Sequence, residues 1–235
     1  MRGLNVRDRM PFMPDTADWG ATMEARLLDA AIPHVPDLGW TSRLAARAAR
    51  DAGLTPGEGE LLLPQGPRDL AALLSYRHDE IALASLADVN PATLKVRERI
   101  AKGVEARVEA AAADGAAVRR LMGFFALPQN LALGGRLTWE SADRIWRWAG
   151  DASADENHYS KRAILAALLA STLAVRLASG VAAASRHLER GIDAVMGYER
   201  AKARFAHGDV AAEIAAVLAR MRYGAARAPS DSTPA

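Results

Sequence analysis

The sequence predicts an all-α protein, and three observations support that fold class. Half of the 235 residues are hydrophobic, but only 6% are aromatic, and alanine is very common. Runs of valine, isoleucine, threonine and aromatic residues, which would favour strands, are missing throughout the chain. Glycine and proline divide the sequence into segments that have the apolar periodicity and the end residues of helices. At this length the chain can bury a substantial core.

The first two predicted helices lie between residues 23 and 53. The first runs from about Met23 to about Val35, because this segment has one apolar face and Pro36 follows it. The second begins after Thr41, whose side chain suits an N-cap. It stops at Gly53, a residue type that is common at helix C-termini.

The next two predicted helices are a short one and a long one. Thr55 and Pro56 combine an N-cap with a first-turn proline, so the short helix begins there. Two prolines and a glycine within residues 64–67 break it. The long helix then runs from about Arg68 to about Ala87.

The larger second part of the chain is also predicted to be helical. One helix opens at Pro91, and further helices cover approximately residues 116–127, 138–149, 155–179, 182–206 and 209–223. The longest apolar run, Ala163–Val175, lies in the helix at 155–179 between flanking basic residues. Because a membrane span needs roughly 20 apolar residues, we interpret this run as part of a buried core helix.

These elements form five consecutive parts. Residues 1–20 have no apolar segment typical of a signal peptide and are expected to be a disordered tail. A three-helix bundle is expected at residues 21–66, and a larger helical body at residues 67–206. An amphipathic helix at residues 207–227 and a disordered tail at residues 228–235 complete the chain.

Composition and residue spacing argue against several function classes. The formal net charge of +2 is too small to indicate a nucleic-acid partner. The chain has no cysteine, which excludes disulfides and thiolate chemistry. The five histidines are scattered, and none has the helical spacing of a zinc or di-iron site. We therefore predict no catalytic residues, no metal site and no cofactor.

The N-terminal elements resemble the helix-turn-helix half of a TetR-type regulator. The matching stretches are LLDAAIPHVPDLGW for its first helix, LAARAARDAGLTPGEG for its turn pair, and PQGPRDLAALL for its linker and fourth helix. The resemblance implies that the body behind them binds a ligand and forms dimers. DNA binding is not expected, since residues 51–63 contain Asp51, Glu58 and Glu60 but no basic residue that could contact phosphates.

A more specific resemblance lies further along the chain. The stretch WRWAGDASADENHYSKR, residues 146–162, leads into a long apolar helix and then into HLERGIDAVM. It is similar to the Coq9 family of ubiquinone-biosynthesis proteins, a lipid-binding family with the TetR-like fold. The likeness covers about residues 21–206, and its specific part is confined to residues 139–196. The family usually has a tryptophan before the tyrosine of this stretch, whereas this chain has His158.

The resemblance implies three sets of functional residues. An apolar cavity for isoprenoid lipids would be lined by Leu121, Met122, Phe124, Phe125, Ile145, Trp148, Leu165, Leu168 and Leu169. A surface that docks the di-iron hydroxylase of demethoxyubiquinone would consist of Asp155, His158, Tyr159 and Arg162. A stripe that binds the membrane surface would consist of Val210, Ile214, Val217, Leu218 and Met221.

Each set also has a purely structural interpretation. The apolar residues suit ordinary core packing, residues 155–162 suit a helix cap, and the C-terminal segment suits a helix packed on the domain. Our leading hypothesis is a non-enzymatic protein, peripheral on the cytoplasmic membrane face, that binds isoprenoid quinone precursors and offers them to the hydroxylase. The alternative is a TetR-type regulator that senses an apolar ligand. The fold makes a homodimer plausible.

Overall fold

A computed structural model describes the backbone of residues 16–151 and 156–206, and the side chains of residues 19–151 and 159–194. All regular structure in the described residues is helical, which confirms the predicted all-α class. The α-helices are α1 (Thr16–Ala31), α2 (Val35–Leu38), α3 (Ser42–Asp51), α4 (Pro56–Leu62), α5 (Pro67–Ser85), α6 (Val96–Ala113), α7 (Gly115–Phe125), α8 (Leu131–Trp148), α9 (Glu156–Ser179) and α10 (Val181–Ala206).

Local capping explains why α3 and α4 begin where the sequence predicts. The Thr41 hydroxyl accepts a hydrogen bond from the Leu44 backbone N–H, so Thr41 is the N-cap of α3. Thr55 and Glu58 form a reciprocal capping box at the start of α4. Between the two helices, Gly53 has φ +77°, a left-handed conformation that side chains with a Cβ rarely adopt.

Three helix starts differ from the prediction. The first helix, α1, begins at Thr16 rather than near Met23, so Thr16–Gly20 are helical although the sequence assigned them to a tail. Pro91 begins a 3-10 turn, Pro91–Thr93, and α6 follows only at Val96. The eighth helix begins at Leu131 rather than at Thr138, because it continues through two glycines that the sequence pattern does not favour in a helix.

Among the described residues, those up to Leu188 form one compact unit, and those from Glu189 to Ala206 belong to a second. Within the first unit, one core cluster joins the helix-turn-helix-like segment to α5 and α7, and includes Leu27, Leu44, Leu74 and Leu121. The Trp40 indole N–H donates a hydrogen bond of 3.2 Å to the Ala117 carbonyl across this core. In the rest of the unit, α6 packs against α5, α8 and α9. The five-part organisation predicted from the sequence stays a prediction.

The apolar helix α9 is buried on one face only. Leu165, Leu168, Leu169 and Thr172 are buried, whereas Ala163 and other alanines on the helix are exposed. The sequence interpretation of this run as a buried core helix is therefore only partly correct. By length and composition alone, Tyr159–Ser179 would suffice to cross a membrane, with a mean hydropathy of 1.5.

Candidate functional site

A cavity of about 510 Å³ lies between α5, α6, α7, α8 and α9 in the first unit. Most of its lining residues are apolar, and its volume lies within the range of pockets that bind small molecules. The structure brings together four of the residues predicted to bind lipid, and these are Leu121, Met122, Phe125 and Leu169. An apolar cavity therefore exists where five of the predicted helices meet.

The other five predicted lipid residues lie away from this cavity. Phe124 is partly buried against the core cluster that contains Leu121. Ile145 is buried in contact with Gly103, where an added Cβ would lie 2.5 Å from the Ile145 Cγ2 atom. Leu165, Leu168 and Trp148 are buried or partly buried without lining the cavity. For these five side chains, core packing describes the observed environment.

The cavity runs along α8 from an exposed mouth to a buried end. Leu131 and Met122 line it near the surface, with 57% and 36% of their areas exposed. Ser141 lines its other end and is buried. At a rise of about 1.5 Å per helical residue, Leu131 and Ser141 are about 15 Å apart. A ligand could therefore enter between the end of α7 and the start of α8.

A close helix contact shapes the apolar part of the cavity. Phe125 of α7 lies so near to Gly134 of α8 that a Cβ on this glycine would be 2.9 Å from the Phe125 Cβ and Cγ atoms. Glycine at this position therefore lets α8 approach the phenylalanine that forms the cavity wall. The neighbouring Gly135 also lines the cavity, but a Cβ there would meet no atom within 4 Å.

The buried end of the cavity is polar, and we did not predict this feature from the sequence. Four polar side chains line it, which are Ser75, His78, Arg107 and Ser141. The Arg107 Nε atom donates a hydrogen bond to Asp79, which also accepts one of 2.7 Å from the Ser141 hydroxyl. The Arg107 Nη2 atom donates one of 3.2 Å to the Ser75 hydroxyl. The guanidinium is therefore fixed in place by an ion pair and a hydroxyl group.

His78 lies beside this ion pair and is neutral at physiological pH. Burial, together with the positive charge of Arg107, lowers the pKa of His78 to about 4. Its Nε2 atom is 2.9 Å from the Asp114 carboxylate. Because a carboxylate accepts, the single imidazole proton is assigned to Nε2, which leaves Nδ1 as a hydrogen-bond acceptor.

A signal for the polar end was available in the helical periodicity. His78 follows the buried residues Leu70 and Leu74 at intervals of four, so it lies on the core face of α5. Arg107 likewise lies on the core face of α6, next to Val104 and Val108. A charged residue in the middle of an apolar face needs a buried partner, but the sequence does not reveal which residue provides it.

The residues that carry the Coq9 resemblance join the end of α8 to the start of α9. The Trp146 indole N–H donates a hydrogen bond of 3.2 Å to the Lys161 carbonyl. The Lys161 ammonium lies 3.0 Å from the Asp151 carboxylate and 5.5 Å from the centre of the Trp146 ring. Arg162 donates hydrogen bonds to Asp143 and to Asp151. These contacts explain the basic residues in the first turns of α9.

The predicted docking residues differ in accessibility. Arg162 is only 2% exposed, so our expectation that its side chain is presented to a partner disagrees with its burial in an ion-pair network. Tyr159 is 67% exposed, and its ring centre lies 6.1 Å from that of Trp139. Asp155 and the side chain of His158 lie outside the described residues, as does the whole predicted membrane stripe from Val210 to Met221.

Comparisons with known proteins match the segment that contains the connection between α8 and α9. The family model described as COQ9 matches residues 131–199, a segment that includes α8, α9 and the hydrogen bonds that Trp146 and Arg162 make between these helices. The chain is 29% identical to the mitochondrial ubiquinone biosynthesis protein COQ9 of Rattus norvegicus over 158 residues, which are 64% of this chain and 50% of that protein. The chain is therefore similar to the Coq9 family, most specifically over residues 131–199. This confirms the resemblance seen in the sequence.

Two further proteins named as ubiquinone biosynthesis protein COQ9 have a similar level of identity to this chain. The Xenopus tropicalis protein is 28% identical over 166 residues, covering 66% of this chain and 51% of its own length. The Homo sapiens protein is 28% identical over 158 residues, covering 64% and 49%. This chain thus spans about half the length of the curated relatives. Those relatives are named as mitochondrial, which differs from our expectation of the cytoplasmic membrane face.

Proposed function

We propose that this chain acts in ubiquinone biosynthesis as a non-enzymatic protein that binds an isoprenoid quinone precursor and presents it to the demethoxyubiquinone hydroxylase. The observation that carries the proposal is the apolar cavity, two of whose walls, α8 and α9, belong to the segment that matches the COQ9 family. The relatives are named as ubiquinone biosynthesis proteins, which supports the pathway.

Burial of apolar surface provides the physical reason for such a protein. A polyprenyl tail holds a quinone precursor in the bilayer, and a protein that removes it must replace the apolar surroundings. Each Å² of the lipid's apolar surface that the cavity covers contributes about 25 cal/mol to the free energy of binding. Met122 and Phe125 suit this wall because their side chains adapt to an irregular chain such as an isoprenoid.

Tyr159 and Trp139 support the proposed docking surface for the hydroxylase. Their rings lie next to one another, and Tyr159 is largely exposed. Aromatic residues are enriched at the centres of protein interfaces. The buried Arg162 pairs hold the first turns of α9, so Tyr159 is presented by a fixed helix and loses little entropy on binding.

Attachment to the membrane and dimerisation complete the proposal. The amphipathic pattern at Ile214, Leu218 and neighbouring apolar residues would place the protein at the membrane surface, with basic residues near the headgroups. The half-exposed apolar helix α9 is consistent with a homodimer, as in the TetR-like fold. We place the protein at the membrane where ubiquinone is made, either on the cytoplasmic membrane face or in the mitochondrion.

Native mass spectrometry of the purified full chain tests lipid binding. We expect an isoprenoid lipid to copurify with the wild type, and we expect Ala170→Trp to lose it, because exposed Ala170 lines the cavity. Ala163→Trp is the matched control, since Ala163 is an exposed alanine of the same helix that does not line the cavity. The proposal fails if no apolar ligand binds, or if both variants bind lipid as the wild type does.

A further inference from the structure

The cavity combines an apolar mouth with a buried polar end, and this gradient defines an orientation for the ligand. We propose that the buried end binds the oxygenated ring of the quinone precursor, with the isoprenoid tail directed toward the mouth between α7 and α8. This inference rests on the proposed function, since it assumes that an isoprenoid quinone precursor occupies the cavity. It assigns a ring site to Ser75, His78, Arg107 and Ser141.

Arg107 supplies the principal hydrogen-bond donor of this ring site. Its Nε and Nη2 atoms are used by Asp79 and by Ser75, whereas Nη1 makes no hydrogen bond to any described residue. Guanidinium N–H groups are strong donors, and because Arg107 lines the cavity, its unused N–H group is available to a ligand acceptor. A carbonyl, phenol or methoxyl oxygen of the ligand would satisfy it.

The charges around the ring site favour a neutral oxygen over an anion. Asp79 already compensates the charge of Arg107, and Asp114 bonds to the neutral His78. A ligand carboxylate at this end would therefore lie near two protein carboxylates with only a shared cation to balance it. A quinone or phenol ring brings oxygen acceptors without an additional buried charge.

The opposite orientation would be unfavourable at both ends. An apolar tail at the buried end would lie against the Arg107 guanidinium without offering an acceptor to its unused N–H group. The oxygenated ring would then lie against Met122, Phe125 and Leu131 at the mouth. The ring-inward orientation also implies that presentation to the hydroxylase requires the ring to leave the cavity after the tail.

Ligand series measured by native mass spectrometry test the orientation. Wild-type protein is titrated with a ubiquinone that has a two-isoprene tail. The two comparison ligands are a ring-free isoprenoid and a fatty acid, each with the same number of carbon atoms as this ubiquinone. We expect the quinone to bind at least about tenfold more tightly than either of the other two, because only the quinone satisfies the buried donor without adding charge.

A charge-neutral double variant identifies the residues responsible. Asp79→Asn combined with Arg107→Gln removes both charges together and leaves no unpaired buried ion. We expect this variant to bind the quinone and the ring-free isoprenoid with similar affinity. The matched control, Glu109→Gln with Arg176→Gln, removes an ion pair between the same helix α6 and helix α9 outside the cavity, and should keep the tenfold preference.

The outcomes separate this inference from the proposed function. Equal wild-type affinity for the quinone and the ring-free isoprenoid would overturn the ring site while supporting lipid binding. Tighter binding of the fatty acid would also overturn it, in favour of an anion site. Binding of none of the ligands would overturn the proposed function itself. If the double variant does not fold, the wild-type series still decides the orientation, and Ser75→Ala replaces the variant with an expected smaller loss of preference.

Discussion

Arg162 and Asp143 form a buried ion pair that ties the start of α9 to α8. The Arg162 Nε atom donates to Asp143, and its Nη1 atom lies 3.3 Å from Asp151 at the end of the Trp146–Asp151 turn. Asp143 also pairs with Arg147, one helical turn along α8. The Asp143 carboxylate thus pairs with one buried arginine and one exposed arginine, so the contributions of these two arginines to stability can be compared directly.

We expect Arg162→Gln to destabilise the protein by roughly 2 kcal/mol, because Asp143 and Asp151 lose the buried guanidinium donor and keep Arg147 and Lys161 as cationic partners. Arg147→Gln is the matched control, since Arg147 is 73% exposed and contacts the same Asp143 carboxylate. Its loss should change the free energy of unfolding by less than about 0.5 kcal/mol. Urea denaturation measures both values, and two equally small changes would contradict the structural role of Arg162.

Tyr159→Ala tests the proposed docking surface. Because Tyr159 is largely exposed, its truncation should leave the unfolding temperature nearly unchanged. Binding to the hydroxylase should weaken about tenfold or more, as expected for an aromatic residue at the centre of an interface. Ser160→Ala, an exposed neighbour, is the control in the same pull-down. Unaltered binding by the Tyr159 variant would place the docking surface elsewhere.

His78 predicts a specific pH dependence of stability. Its pKa is about 4 in the folded protein and about 6.5 in the unfolded chain, so the unfolded state binds the proton more readily. The contribution of His78 to the free energy of unfolding is therefore complete above pH 6.5. It falls as the pH decreases from 6.5 to 4, by roughly 3 kcal/mol in total. Arg107, Asp79 and Asp114 are the charged groups that act on His78.

The measurement is the free energy of unfolding as a function of pH for the wild type and for His78→Gln. The difference between the two proteins isolates the contribution of His78 from those of Asp79 and Asp114. We expect the fall between pH 6.5 and 4 to be smaller in the variant. His34→Gln is the control, because His34 lies outside the cavity. Parallel curves for wild type and His78→Gln would show that the histidine is not the responsible group.

Alanine substitutions at the two adjacent glycines of α8 should change the stability of the protein in opposite directions. Gly134→Ala places a Cβ about 2.9 Å from Phe125, so we expect destabilisation of roughly 1–3 kcal/mol. Gly135→Ala meets no atom within 4 Å and should stabilise the helix by about 0.5–1 kcal/mol. Thermal unfolding of the two variants measures this contrast. Stabilisation by both would mean that Phe125 moves aside without cost.

DNA binding by the helix-turn-helix-like segment is not expected. Glu58 belongs to the capping box that begins α4, and Glu60 lies on the same helix. These carboxylates would face phosphates in a TetR-type complex, and the exposed side chain of Leu61 offers no hydrogen bond to a base. We expect no mobility shift with the upstream DNA of the gene at physiological salt. A salt-sensitive, sequence-specific mobility shift would instead support the alternative hypothesis of a TetR-type regulator.

The sequence by itself determined the all-α class, the caps of α3 and α4, and the Coq9 resemblance. These features depend on residues close together in the chain. Thr41 and Thr55 each bond to a backbone group three residues ahead, so local residue types suffice to predict the helix starts. The Trp146–Arg162 stretch is likewise continuous, and its residues could be recognised before their contacts were known.

Only the tertiary structure decided which side chains line the cavity and which residues pair in its interior. Phe124 and Phe125 are consecutive, as are Leu168 and Leu169, yet one of each pair lines the cavity and the other does not. Neighbouring helical residues point about 100° apart, and the position of the other helices determines which direction meets the cavity. Arg107 and Asp79 are 28 residues apart, and Arg162 and Asp143 are 19 apart. Such pairs form because burial requires each charge to find a partner, and only the packing of α5, α6, α8 and α9 supplies that partner.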